Sequence, residues 1–151
     1  MDAKQINSIL YGTKSILEGH LGLNVIAGQP SLRKDPVASG QVSVIVGLTG
    51  DMTGELVLGM EELTVRTIIG CMFGGMEINE IDDMGWSAFS EFGNWVGAAC
   101  CTELINNGYS INITTPIINE GHTKFHSVHN FISIPLQLDS NEIMVHVSTQ
   151  N

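Results

Sequence analysis

The chain has 151 residues, of which six are Lys or Arg and sixteen are Asp or Glu, so its formal charge is −10. That charge repels phosphate backbones and the few basic residues form no cluster, which excludes nucleic acid as an expected partner. Apolar residues make up 43% of the chain and charged ones 15%, enough for an ordinary core and too few charges for disorder. At this length a single domain over residues 1–151 is expected. Met1-Asp2-Ala3-Lys4 leads into a polar segment without an apolar h-region, and no run of about 18 apolar residues follows. Neither a secretory leader nor a membrane span is therefore expected, and the expected location is the cytoplasm. Cys71, Cys100 and Cys101 lack paired spacing and read as small, buried, reduced residues.

In chain order, Ile6 to Leu21 has helical apolar spacing, and Gly22 offers a stop. Leu23–Ala27 reads as a short strand and Ser31–Gly40 as a polar, turn-rich connection. Val42–Leu48 and Glu55–Met60 read as two strands of a hairpin closed by Thr49–Gly54. Glu61–Phe73 returns to helical character and ends at Gly74-Gly75. The longest helix is predicted from about Asp82 to Asn107, with Asp82 or Asp83 as its N-cap and Gly108 beyond its end. Strands are predicted at Ser110–Thr114, Val128–Leu138 and Glu142–Ser148, the last two joined by Asp139-Ser140-Asn141. Pro135 favours an edge position or a bulge for its strand.

The two halves resemble each other. Gly22–Pro30 aligns without a gap on Gly108–Pro116 at an offset of 86 residues, and Glu55–Leu58 stands opposite Glu142–Val145 at 87. The expected fold class is α+β: a helix–strand–hairpin pattern repeated with pseudo-twofold symmetry, its mostly antiparallel sheet packed against long helices. The first repeat covers about residues 5–60 and the second about 82–148.

On a wheel of about 100° per residue, Phe89, Phe92, Val96, Ala99, Cys100 and Leu104 form the core face of the long helix. Glu91, Asn94, Ala98 and Thr102 lie opposite, with Trp95 beside Glu91. A carboxylate and a carboxamide one turn apart, next to small residues and an aromatic, leave room for another molecule and offer it an anchor. The plain alternative is a solvated helix face.

Ser87-x3-Glu91-x2-Asn94, with the local run Ser90–Gly97 and the distant Pro116, resembles the glutamate/asparagine helix of the CheC, CheX and FliY chemotaxis phosphatases. Members similar to CheC carry the pair in both halves and FliY-like members carry additional domains. Here the 86-residue offset maps Glu91 onto Gln5 and Asn94 onto Ser8, so the chain looks most like CheX, with a degenerate first repeat and an active second one.

The resemblance implies that a phosphorylated CheY-like response regulator is the partner and substrate. It implies Asn94 as the residue that positions the attacking water and Glu91 as the anchor on the regulator. Ser87, Trp95, Ala98 and Thr102 would line the interface. The regulator would carry Mg²⁺ and this chain no cofactor. Relatives similar to CheX form homodimers through sheet edges, and the same is expected here. A non-catalytic module that binds a regulator or another signalling protein remains the alternative. His122-x3-His126-x2-His129 has metal-ligand residue types, but it reads as loop and strand entry, where the rings do not converge. His20 and His146 have no partner in sequence.

Overall fold

The computed structural model describes residues 1–150. Helix α1 (Ala3–Lys14) starts with a capping box, in which the Asp2 carboxylate accepts from the Gln5 N–H at 2.8 Å and the Gln5 side chain accepts from the Asp2 N–H at 2.9 Å. It continues into a π-helical stretch, Ser15–His20. Four strands then precede the turn at Asp51-Met52: β1 (Val25–Ala27), β2 (Ser31–Arg33), β3 (Val37–Ala38) and β4 (Val42–Gly50). Strand β5 (Thr53–Met60), α2 (Glu62–Met72) and α3 (Asp83–Asn106) follow. The chain closes with β6 (Ile111–Ile113), β7 (Ile117–Glu120), β8 (Lys124–Phe125), β9 (Phe131–Leu138) and β10 (Asn141–Gln150).

The main sheet runs β1-β9-β10-β5-β4-β6, all antiparallel, with β2 also on β9 and β7 also on β4. Exchanging β1 with β6, β2 with β7, β9 with β4 and β10 with β5 leaves that order unchanged. The pseudo-twofold fold expected from sequence is thus present in the strand order. The segments Ser31–Gly40 and 121–130 are more ordered than their polar composition suggested: β3 and β8 pair with each other across the outer face. Short strands escape a periodicity reading because two or three residues carry no period.

Strand β9 is interior, against the edge position that Pro135 suggested, and it begins at Phe131, leaving Val128 96% exposed. The strand tolerates a proline because its neighbour is interrupted there. Pro135 lies opposite the gap between β1 and β2, where its carbonyl accepts from Gly28 N–H at 2.8 Å and no ladder bond needs its missing N–H.

Helices α1 and α3 cover one face of the sheet and cross antiparallel. A Cβ on Gly12 would stand 2.6 Å from the Cys100 backbone nitrogen, so only glycine permits this crossing. Thr13 Oγ1 lies 3.5 Å from Cys100 Sγ at the same point. Between the helices and the sheet sits the core of Ile9, Leu17, Phe89, Phe92, Val96 and Leu104 against Val44, Leu56, Leu58, Ile134, Leu136 and Val145.

The burial pattern corrects the gapless alignment of the two helices. Gln5, Ile9, Thr13 and Leu17 are buried at the same turns as Phe92, Val96, Cys100 and Leu104, an offset of 87. The glycines after the helices, Gly22 and Gly108, both at positive φ, match at 86. A π turn holds one residue more than an α turn, and Ser15–His20 absorbs the difference. The residues of α1 that correspond to Glu91 and Asn94 are therefore Lys4 and Asn7, both exposed, rather than Gln5 and Ser8, both buried.

Candidate functional site

Asp82 caps α3 as expected, its carboxylate accepting from Gly85 N–H at 2.8 Å. The helix then runs with its apolar residues against the sheet. Gly93 and Gly97 let it lie close: a Cβ on Gly93 would meet Val44 at 2.9 Å and Pro116 at 3.2 Å, and one on Gly97 would meet Ile113 at 3.1 Å. Pro116 thus braces α3 between Glu91 and Asn94, a role that its place in the sequence left open. The loop carrying it is fastened to β4, where Thr114 Oγ1 accepts from Gly47 N–H at 2.8 Å and Thr114 N–H donates to the Gly47 carbonyl at 3.0 Å.

Opposite this braced side, Ser87, Glu91, Asn94, Ala98 and Thr102 are all exposed on one stripe of α3, and Trp95 is half-buried beside them. The structure therefore brings together all six residues singled out from the sequence. Among the described residues, the side chains of Glu91 and Asn94 meet no hydrogen-bonding or ionic partner within the chain. Rigid backbone with uncommitted polar ends suits contact with another molecule.

Three residues of this surface were missed. Met84 (70% exposed) and Ile105 (53% exposed) extend the stripe by a turn at either end, and the same wheel carried further would have found them. His20, from the end of the π-helical stretch, packs its ring on Trp95 with centroids 5.6 Å apart and planes inclined at 37°. No sequence signal brings His20 to that place, because the contact joins the two halves.

The remaining reactive side chains lie elsewhere. Cys100 faces the core, and burial pushes its thiol up to about 12, so it is not a nucleophile at neutral pH. Cys71 and Cys101 are half-buried and free, less enclosed than the sequence suggested. His122, His126 and His129 fall in the stretch around β8, and no group of three or more His, Cys, Asp or Glu among the described residues is placed to hold a metal ion. His146 lies under the β3–β8 ribbon, with Nδ1 2.7 Å from Ser133 Oγ. No helix is long and apolar enough to cross a membrane among the described residues.

Comparison with known proteins agrees with this architecture. A CheC-like superfamily protein from a Shewanella species has the same fold, with a TM-score of 0.88 over all of both chains at 24% identity. A CheX–CheY–BeF₃–Mg²⁺ complex from Borrelia burgdorferi contains a chain similar to this one at a TM-score of 0.79 and 25% identity, over 97% of each. In sequence, the CheY-P phosphatase CheX of Thermotoga maritima is 27% identical over 143 residues, which is 94% of this chain and 92% of the relative. The family model of the chemotaxis phosphatase CheX matches residues 42–137, a span that holds β4, β5, the whole of α3 and Pro116. The chain belongs to the CheX family of chemotaxis phosphatases.

Proposed function

We propose that this chain dephosphorylates the aspartyl phosphate of a CheY-like response regulator, and that the outward stripe of α3 is the surface that does so. The observation carrying the reading is the pair Glu91 and Asn94, exposed one turn apart on a braced helix, in a chain of the CheX family. The Thermotoga relative is named as a CheY-P phosphatase, and the Borrelia relative is seen with CheY, BeF₃ and Mg²⁺.

An acyl phosphate hydrolyses by in-line attack of water, and a regulator that carries Mg²⁺ and a lysine beside its phosphoryl group already neutralises the charge. What remains is to place the water. The Asn94 amide offers a donor and an acceptor to one water molecule, and a helix backbone holds that amide still. Glu91 anchors the complex through the regulator's lysine. Trp95, Ala98, Thr102 and Ser87 line the contact, the small residues admitting the partner. The Mg²⁺ belongs to the regulator. Within this reading residues 1–151 act as one domain in the cytoplasm, with the second repeat active and the first degenerate. The chain forms a homodimer at a sheet edge, and exposed Ile26 and Leu32 on β1 and β2 support that edge.

The test is the decay of a phosphorylated CheY-type regulator of the same organism. Wild-type protein should accelerate it, Asn94→Ala should lose about 100-fold of the acceleration while still binding, and Glu91→Ala should weaken binding. Binding without acceleration by the wild-type protein would make the chain a docking module instead.

A further inference from the structure

The two ends of the α1–α3 crossing are related by the pseudo-twofold axis, yet they are closed by different chemistry. At one end Asn107 Nδ2 donates to Ser8 Oγ at 2.9 Å. At the other end Trp95, the counterpart of Ser8 at an offset of 87, is met by the His20 imidazole, although the counterpart of Asn107 at the helix end is Leu21, each standing directly before a glycine at positive φ. A partly buried amide–hydroxyl link on one side is thus an aromatic pair on the other, and the aromatic pair stands next to Asn94. The π-helical stretch, which α3 lacks, carries His20 to this position. Widened turns of this kind concentrate at functional sites, and half-exposed aromatic residues are typical interface anchors. Ser8 is buried with its hydrogen bonds made, whereas His20 is exposed and Trp95 half-buried, so the aromatic end presents surface that the polar end does not.

We infer that His20 is a positioning residue of the regulator-binding surface. It packs on Trp95 and holds the indole beside Asn94, and together the two rings form the rim on which the phosphorylated regulator docks. This rests on the regulator being the partner. The π turn is then the means by which the degenerate first half serves the site on the second.

The experiment compares wild-type protein, His20→Ala and His20→Phe. It measures the dissociation constant for a BeF₃-activated CheY-type regulator by calorimetry, and KM and kcat for decay of the phosphorylated form. His20→Ala should raise the dissociation constant and KM about 5- to 10-fold, with kcat within about twofold of wild type and an unchanged melting temperature. His20→Phe, which keeps a ring on Trp95, should restore both constants. An unchanged KM and dissociation constant in His20→Ala would overturn the inference, as would a fall in kcat alone or no rescue by phenylalanine. If wild-type protein binds the activated regulator without speeding decay, the phosphatase reading fails while the binding arm still decides the role of His20. If wild-type protein does not bind the regulator at all, both fall.

Discussion

On the outward side of α1 stand Lys4, Asn7 and Tyr11, and at the corresponding turns of α3 stand Glu91, Asn94 and Ala98. The asparagine is common to both faces. Around it the charge is reversed, and a tyrosine 64% exposed takes the place of a small residue. A lysine would repel a lysine on an approaching regulator, and a projecting ring at Tyr11 would hold its surface off. On the proposed function an exposed asparagine is therefore insufficient by itself. The proposed site needs the right charge one turn before it, clearance one turn after it and an aromatic pair at its side.

The sharpest way to break that comparison is to remove each asparagine in turn. Asn94→Ala should cost about 100-fold in regulator dephosphorylation, whereas Asn7→Ala should leave the rate within about twofold. Equal losses would mean that both faces act. A second contrast lies on the outer face of the sheet, where His146 corresponds under the same offset to Gly59. Burial chiefly, with the charge of Arg33 adding and the Ala38 backbone opposing, pushes the His146 imidazole down from 6.5 to about 4.

The folded protein thus leaves that ring neutral at pH values where the unfolded chain takes up a proton. Stability should be independent of this group above about pH 7, fall as pH drops through about 6.5, and have lost up to about 3 kcal/mol near pH 4. Urea unfolding at several pH values should show this loss, and His146→Gln should flatten it. Gly12→Ala comes next: a methyl group 2.6 Å from the Cys100 nitrogen forces the two helices apart and should cost about 1–3 kcal/mol. Calorimetric melting measures this loss, and activity should suffer less than in Asn94→Ala. The smallest effect is expected from Ser8→Ala, which strips the Asn107 amide of one acceptor. About 1 kcal/mol of stability should go, with regulator decay unchanged.

Much of the fold was legible because long elements carry long periods. The helices over Ile6–Leu21 and Asp82–Asn107, both hairpins and the stop glycines all appear near their expected places, since apolar spacing over several turns admits one reading. Strands β2, β3, β7 and β8 were not legible, for they are held by pairing with distant partners rather than by any pattern of their own. Pro135 misled for a related reason. A proline excludes a ladder bond, and the sequence does not say that the neighbouring strand is broken at the same level.

The sequence by itself determined the helix that bears Glu91 and Asn94, the side of it that faces outward, and the existence of two similar halves. These follow from side-chain periodicity, which is a local property of the chain. Tertiary structure alone decided which residues of the first half correspond to that pair. A single π turn shifts one helix against the other by a residue, and only the burial of Ile9 with Val96 and of Thr13 with Cys100 reveals the shift. It alone also set Pro116 behind Gly93 and His20 on Trp95. Such contacts depend on how closely two helices and a sheet can approach, and that distance is fixed by packing between segments far apart in the chain.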